Sequence, residues 1–309
     1  SLVTQYQYAA DWNADNPNPT TALFGGGTTG SNTNVIEFVF VETASNATDF
    51  GDLTVARHAL ASCASSTRGL FGGGQQDGAN TNTIDFVTIA STGDAQDFGD
   101  LTVVREQLAG LGNATRGVFG GGDTDKDVMD YVTIASAGDA TDFGDLTVAR
   151  GYLGGTDSST RGVFAGGLAN RTDTIDYITI ASTGDANDFG NLSADRIVLG
   201  ACASSTRGVF AGGEIDADPN QLNIIEYITI ASTGNATDFG DLTAVRGSIA
   251  GTSNKIKGLF GGGSTLSNVK VNIIEFITIA TTGNSEDFGD ITTATRSMAS
   301  CSNGHGGLA

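Results

Sequence analysis

From Leu146 to Gly167 the chain reads LTVARGYLGGTDSSTRGVFAGG, and from Asp173 to Asn191 it reads DTIDYITIASTGDANDFGN. Three markers of this stretch recur along the chain in constant order: an Arg, a Phe before small residues and Gly-Gly, and Asp-Phe-Gly. The Arg marker is Arg57, Arg105, Arg150, Arg196, Arg246 and Arg296; the Gly-Gly marker begins at Phe24, Phe71, Phe119, Phe164, Phe210 and Phe260; the third marker contains Phe50, Phe98, Phe143, Phe189, Phe239 and Phe288. The sequence therefore predicts six copies of one repeat of about fifty residues.

The repeat contains short segments rich in Ile, Val, Thr and aromatic residues, bounded by Gly, Ser, Asn and Asp, which is typical of β-strands. We predict strand a at Arg150–Gly155, strand b at Gly162–Gly167, strand c at Thr174–Ala181 and strand d near Asp188–Leu192. Both faces of strand c carry large apolar groups, so each repeat must be covered on two sides by its neighbours. The glycines of strand b predict that this strand runs close to a central channel.

The fold class predicted from these repeats is all-β: a propeller of four-stranded antiparallel blades, spanning residues 22–309. The C-terminal ATRSMASCSNGHGGLA repeats strand a, and TALFGGG near the start begins at strand b. A C-terminal strand a that completes the first blade gives six blades, and a seventh, composite blade that uses VTQYQYAADW is the alternative. Residues 1–21 are interpreted as a docking or closing segment, with Tyr6, Tyr8 and Trp12 as docking or packing residues.

The repeat resembles the kelch family, in which an Arg precedes strand a, strand b ends in Gly-Gly, and strand c contains an acid before a Tyr. The matching residues are Arg150, Gly166-Gly167, Asp176-Tyr177 and Phe189, with Phe where kelch repeats usually have Trp. This resemblance implies the propeller fold and says little about function.

More narrowly, the repeated ITIASTGNATDFGDLT and the terminal SNGHGGLA resemble tail-fibre and other virion proteins of marine bacteriophages. The resemblance implies a virion location, other virion proteins as partners, and a host surface receptor or glycan as target. The alternative is a bacterial protein-interaction module of the kelch type, secreted or at the cell surface. A homo-oligomer remains open in either case.

The net charge of −20 argues against nucleic acid or an anionic membrane as a partner, because phosphate groups are bound by clustered Lys and Arg. No apolar run approaches the ~20 residues of a membrane-spanning helix, and SLVTQYQYAADW has no signal-peptide pattern. A chain processed before this point remains compatible with the sequence.

Catalysis is not expected, because the chain has just two His and no Tyr-Cys arrangement to match the copper centre of galactose oxidase, an enzyme of the kelch-type fold. A carbohydrate-active enzyme with paired carboxylates is the less favoured alternative. His58 and His305 are interpreted as surface variants of the repeat. Cys63, Cys202 and Cys301 occupy the same place in three repeats and are interpreted as buried small hydrophobes.

Most charged residues recur with the repeat and are predicted to pair with one another, which accounts for them without a ligand. The bases are the six marker arginines and Arg68, Arg116, Arg161, Arg207 and Lys257; the acids are Glu37, Asp85, Asp130, Asp176, Glu226 and Glu275. A second acidic set, represented by Asp94, Asp97 and Asp100, is interpreted as turn-capping, with structural calcium as the alternative and no other cofactor expected.

The connections between strands b and c differ in length and content, and equivalent connections should lie on one rim of the disc. Their polar residues are the candidate binding residues: Gln75, Asp77, Asn80, Asp123, Asp125, Asn170, Arg171, Glu214, Asp216, Asn220, Ser264 and Asn268. The function predicted from the sequence is non-enzymatic structure or host recognition through these loops. The same connections could also vary merely because nothing constrains them.

Overall fold

The computed structural model describes residues 19–123, 125–169, 171–216 and 220–308. The described chain is almost entirely β-structure. Its strands are β1 (Thr21–Gly25), β2 (Val35–Phe40), β3 (Thr48–Asp52), β4 (Ala61–Ala64), β5 (Arg68–Gly72), β6 (Gln75–Gln76), β7 (Ala79–Asn80), β8 (Thr83–Thr88), β9 (Gln96–Asp100), β10 (Ala109–Gly112), β11 (Arg116–Gly120), β12 (Val128–Thr133), β13 (Thr141–Asp145), β14 (Gly154–Asp157), β15 (Arg161–Ala165), β16 (Thr174–Thr179), β17 (Asn187–Asn191), β18 (Gly200–Ala203), β19 (Arg207–Ala211), β20 (Ile224–Thr229), β21 (Thr237–Asp241), β22 (Ala250–Ser253), β23 (Lys257–Gly261), β24 (Ile273–Thr278), β25 (Glu286–Asp290) and β26 (Ala299–Ser302). Two short 3₁₀ helices span Leu266–Asn268 and Gly306–Leu308.

These strands form six four-stranded antiparallel sheets, and a small hairpin of β6 and β7 lies in one loop. Blades 2 to 6 each use four strands that are consecutive apart from that hairpin, while blade 1 has the order β26-β1-β2-β3. The last strand therefore completes the first sheet, with Leu23 paired to Cys301. The predicted six-blade closure is confirmed. Tyr6, Tyr8, Trp12 and the rest of the predicted docking segment up to residue 18 lie outside the described residues.

In the repeat that begins at Leu146, strand a lies later than predicted, and strand b ends two residues earlier than predicted. Strand a is Gly154–Asp157, because Arg150 to Leu153 belong to the connection from the preceding blade and Tyr152 has a φ of 62°. Strand b is Arg161–Ala165, because Gly166 and Gly167 have φ values of 66° and 116° and leave the sheet. Strands c and d lie close to their predicted positions.

Strand a, rather than strand b, lines the central channel. The six strands a (β4, β10, β14, β18, β22 and β26) contact one another in sequence around the ring. They are built from small residues, such as Gly154-Gly155 and Ala201, because six chains must fit around one axis. The prediction for strand b was wrong because its glycines serve another contact: a Cβ on Gly25 would lie 2.8 Å from the ring of Phe71 in the next blade.

Five buried ion pairs join the marker arginines to strand c, and each lies within one blade. The guanidinium of Arg150 is 2.8 Å from Asp176, and both side chains are fully buried. The other pairs are Arg57–Asp85, Arg105–Asp130, Arg196–Glu226 and Arg246–Glu275. The hydroxyl of Thr147 donates to the second oxygen of Asp176 at 2.6 Å, so that carboxylate is well satisfied. Ion pairing is confirmed for these five.

The bases before strand b do not form the predicted ion pairs. The guanidinium of Arg161 lies 4.2 Å above the ring centre of Tyr177 in its own blade. It also donates to the carbonyl of Ile230 in the next blade at 2.8 Å. Arg68, Arg116, Arg207 and Lys257 repeat the stacking on the aromatic residue of strand c. A cation over an aromatic face is stabilised by the ring quadrupole, so these residues need no acid.

The acidic loops between strands c and d tie neighbouring blades together, rather than capping their own turns as predicted. Asp94 in blade 2 accepts a hydrogen bond from the backbone N–H of Asp52 in blade 1 at 3.1 Å. The same bond recurs at the other five junctions, with acceptors Asp139, Asp185, Asn235, Asn284 and Asn46. Because Asn serves as well as Asp, the bond needs a side-chain carbonyl-type oxygen rather than a charge.

Candidate functional site

The mouth of the central channel is encircled by a closed ring of backbone hydrogen bonds. Its six members, one from each blade, are Ala59, Gln107, Tyr152, Val198, Ser248 and Ser297. Each has a positive φ between 52° and 62°, and each donates its N–H to the carbonyl of the preceding member at 2.7–3.0 Å. The main chain is the same in every blade, but the side chains differ. Sixfold symmetry is therefore broken at the mouth.

Below the mouth, the channel encloses a cavity of about 160 Å³. It is lined by the six strands a, and the second residue of each of these strands is Ser, Gly or Ala, with Ser62 and Ser300 as the polar ones among these second residues. The hydroxyl of Ser62 donates to the carbonyl of Ser300 in the neighbouring blade at 2.8 Å. The channel is therefore narrow, and its lining is mildly polar.

The end of the channel opposite the mouth is closed by the C-terminal residues. After strand a of blade 1, the chain crosses the axis, and the 3₁₀ helix Gly306–Leu308 contacts the strands a of blades 4 and 5. The imidazole of His305 reaches Asp157 of blade 4 at 2.9 Å through Nδ1 and the carbonyl of Ala64 in blade 2 at 2.9 Å through Nε2. The amide of Gly307 also donates to Asp157 at 2.8 Å.

His305 is therefore not the surface variant of the repeat that the sequence predicted. Its side chain is only 12% exposed, because the chain turns into the channel after Ser302 instead of forming a strand b. Burial alone lowers the pKa of His305, but the charge of Asp157 and hydrogen bonds to Asp157 and Ala64 together raise the pKa above its ordinary value. Asp157 and the carbonyl of Ala64 both accept, so an imidazolium can donate from each ring nitrogen, although the N–H of Gly307 also lies 3.2 Å from Nδ1.

The loops between strands b and c surround the mouth, on the side that we call the top face, as predicted. Each of five loops forms a backbone bridge with the residue next to a member of the mouth ring: Thr28 with Arg296, Gln75 with His58, Leu168 with Gly151, Glu214 with Ile197 and Ser264 with Gly247. In the remaining loop, Asp123 donates its N–H to the carbonyl of Glu106. The loops therefore continue the wall of the channel outward.

The candidate binding residues differ in accessibility. Asp77, Asp125, Asp216, Asn220 and Asn268 are exposed. Gln75, Asn80, Asp123, Arg171 and Glu214 are half-buried. Ser264 is fully buried beneath its loop, and Asn170 lies outside the described residues. His58 is half-buried on this face, where burial and the charge of Arg296 lower its pKa.

Neighbouring loops of the top face are held together by side chains. Asn32 donates to the carbonyl of Gln75 at 3.1 Å, and Asn80 donates to Asp123 at 2.9 Å. Arg171 forms an ion pair with Asp216 and donates to the carbonyl of Glu214 at 2.9 Å. These contacts link the loops of blades 1, 2 and 3, and separately those of blades 4 and 5. The linked loops therefore form two groups on the top face, one over blades 1 to 3 and one over blades 4 and 5.

One sector of the mouth has a negative electrostatic character. Partial burial raises the pKa of Glu106, with a further contribution from Asp123, while the hydrogen bond from Gln75 acts in the opposite direction. Partial burial also raises the pKa of the Tyr152 phenol, as do the charges of Glu106 and Asp123. This sector favours a ligand that donates hydrogen bonds, because acceptor oxygens predominate.

The sequence interpretation missed Gln107, Tyr152 and Glu106 at the mouth. The repeated Arg and Gly residues define the repeat, but the residues two places after the first five marker arginines, Ala59, Gln107, Tyr152, Val198 and Ser248, are all different. Variation at a position with constant main-chain geometry was the available signal.

The cysteines are free and buried, in agreement with the prediction. Burial raises the pKa of Cys301 to about 12 and that of Cys202 further, so both remain thiols. Among the described residues, there is no group of three or more His, Cys, Asp or Glu side chains arranged to hold a metal ion. No helix in the described part of the chain has the length and apolar character needed to span a membrane.

Comparison with known proteins yields no matching family model and no matching curated protein.

Proposed function

We propose that the protein is a non-enzymatic recognition protein that binds its target through the top face. The observation that supports this most directly is that repeated and non-repeated polar residues lie in different parts of the propeller. The repeated ones stabilise each blade through ion pairs and stacked cations, and they join neighbouring blades through hydrogen bonds. The unlike ones, among them Gln107 and Tyr152, gather around the channel mouth and in the six loops. A rigid scaffold with variable loops on one face is a common arrangement for binding.

We further propose that this recognition protein is a component of a bacteriophage virion, such as a tail fibre, another appendage or a capsid-associated propeller, that contacts the host surface. The support is the resemblance of the repeated ITIASTGNATDFGDLT and of SNGHGGLA to virion proteins. The exposed amides and carboxylates of the loops suit a hydrogen-bonding target, such as a glycan or a polar protein surface. Contacts would rely on hydrogen bonds, since the described loops contain few aromatic residues.

The test replaces residues 214–222 and 264–272 by Gly-Ser segments of equal length and measures adsorption to whole host cells. A matched control replaces Lys255 and Ile256, which are exposed in the turn between strands a and b at the opposite end of blade 6. We expect the top-face variant to lose adsorption and the control to keep it. Unchanged adsorption of the top-face variant would contradict recognition through these loops.

A bacterial interaction module remains the second candidate for the same face. It predicts binding to a purified protein partner without adsorption of particles to cells. Turnover in a broad screen of glycan hydrolysis would contradict the non-enzymatic proposal.

A further inference from the structure

Blade 1, which is assembled from both ends of the described chain, lacks the buried arginine of the other five blades. In those blades the Arg follows a buried Leu by four residues, as in Leu53 and Arg57. In blade 1 the residue four places after Ile291 is Thr295, and its carbonyl accepts from Gly263 as the carbonyl of Arg57 accepts from Gly27. Arg296, which the sequence predicted as the sixth marker, lies one place later and bonds Asn268 on the top face.

The acid of blade 1 nevertheless keeps its place. Glu37 pairs with Phe24 in the sheet, as Asp85 pairs with Phe71 in blade 2. It is buried, with 6% exposure, and accepts a hydrogen bond from the backbone N–H of Thr292 at 3.0 Å. Among the described residues, no basic side chain forms an ion pair with it. Burial of a carboxylate without a counter-charge is costly.

Blade 6 shows most completely what surrounds the cation at this place, and the other four arginines make one or two of the same carbonyl contacts. Besides its acid, the guanidinium of Arg246 contacts three carbonyl oxygens, those of Phe260, Gly262 and Ile273, at 3.3, 2.8 and 3.2 Å. In blade 1, Phe24 pairs with Glu37 as Phe260 pairs with Glu275. Gly26 and Val35 are joined by the same backbone hydrogen bond as Gly262 and Ile273. One carboxylate and three main-chain carbonyls form an oxygen donor set of the kind that hard cations take.

We propose that a small inorganic cation binds between Glu37 and the carbonyls of Phe24, Gly26 and Val35, in the place of the guanidinium of the other blades. A single positive charge balances the single carboxylate, which favours Na⁺ or K⁺ over Ca²⁺. The acids of the five arginine-containing blades are at most 1% exposed, whereas Glu37 is 6% exposed, so an ion has a path to it from solvent.

The test compares thermal unfolding in NaCl, KCl and CaCl₂ with unfolding in tetramethylammonium chloride at equal ionic strength. We expect Na⁺ or K⁺ to raise the Tm of the wild type by about 2–4 °C. Glu37→Gln, which is isosteric, should abolish this difference, and Thr295→Arg should abolish it by supplying the guanidinium. Asp188→Asn is the matched control: it removes one exposed acid from strand d of blade 4 and should retain the full effect.

A Tm that is equal in the metal salts and in tetramethylammonium chloride would overturn the proposal, as would a metal effect that persists in Glu37→Gln. A response to Ca²⁺ alone that Glu37→Gln removes would support the site and assign it to the divalent ion. Because Glu37→Gln changes no shape, it decides the test even where Thr295→Arg fails to fold. Crystals soaked in RbCl provide a second measurement: anomalous density beside Glu37 supports a site for an ion of the size of K⁺, whereas its absence together with no effect of NaCl on Tm overturns a monovalent ion.

Discussion

The Nδ1 atom of His305 lies 2.9 Å from a carboxylate oxygen of Asp157, although the two residues belong to opposite sides of the ring. His305 follows strand a of blade 1, and Asp157 ends strand a of blade 4. Closure of the propeller thus depends on more than the pairing of β26 with β1. The C-terminal residues also fasten blade 1 to blades 2 and 4 across the axis.

This pair predicts a pH dependence of stability. The pKa of His305 is raised in the folded protein. Its contribution to the free energy of unfolding is therefore fully present below the ordinary pKa of 6.5, and it is lost as the pH rises through the folded-state pKa. His305→Gln should therefore unfold at lower urea concentration than the wild type at pH 6, with a smaller difference at pH 9. Urea titrations across this range measure the effect.

The other histidine is the matched control. The folded pKa of His58 is lowered, so its contribution is present above the ordinary value of 6.5 and is lost as the pH falls below it. His58→Gln should accordingly reduce the loss of stability at acid pH and leave the stability at alkaline pH unchanged. An identical pH profile for His305→Gln and the wild type would contradict the assignment of His305.

The buried pair of Arg150 and Asp176 predicts a large single-variant effect and partial rescue. Arg150→Met should cost about 3–5 kcal/mol, because it leaves a fully buried carboxylate without its cation. Addition of Asp176→Asn should recover at least about 1 kcal/mol, since the amide is neutral and can still accept the bond from Thr147. A double-mutant cycle by chemical denaturation measures the coupling, and strictly additive losses would contradict it.

The tie between blades at Asp185 distinguishes hydrogen bonding from metal binding. Asp185→Ala should cost about 0.5–1.5 kcal/mol, because the N–H of Asp145 loses its acceptor. Asp185→Asn should preserve stability, since Asn235 performs the same task at the next junction. If the loop instead held calcium, Asp185→Asn would abolish a Ca²⁺-dependent rise in Tm, which calorimetry with and without chelator would reveal.

Two glycines at one junction separate steric contact from backbone strain. Gly144 and Gly184 both have positive φ, 138° and 150°, so a side chain is strained at either position. A Cβ on Gly144 would lie 2.5 Å from the carbonyl of Gly184, whereas a Cβ on Gly184 would meet nothing within 4 Å. Gly144→Ala should cost about 1–3 kcal/mol more than Gly184→Ala in urea titrations. Equal costs would show that the junction tolerates the contact.

The repeat made the ring predictable, because a unit that cannot cover its own two faces requires neighbours. The first repeat, which begins with TALFGGG, lacks a strand a, and the C-terminal segment supplies one. Strand a was misplaced because the stretch Arg150 to Leu153 is as apolar as a strand. The positive φ that interrupts it falls on Tyr152, a residue typical of strands, rather than on the adjacent Gly151. The pattern of apolar residues does not indicate a turn of this kind.

The candidate site was predictable only in part. The loops of the top face were located from their variability, but the channel and its closure depend on contacts between blades that are distant in sequence. His305 is separated from Asp157 by 148 residues, and no local pattern connects them. Arg296 illustrates a different limit: the segment is as long as in the other blades, but Thr295 holds the place of the buried arginine and Arg296 stands one place later, so only the count of four from Leu53 to Arg57 against five from Ile291 distinguishes the two.

The circle of amides at the channel mouth has an electrical consequence. Six peptide dipoles arranged head to tail around an axis sum to almost nothing along it, unlike those of a helix. The ring of peptide groups therefore produces little electrostatic attraction for an anion or a cation in the channel. Its N–H groups are also already hydrogen-bonded to the carbonyls of the preceding ring members. Which ligands bind at the mouth therefore depends on side chains such as Tyr152 and Glu106. Each of these can be substituted without a change in the main chain of the ring.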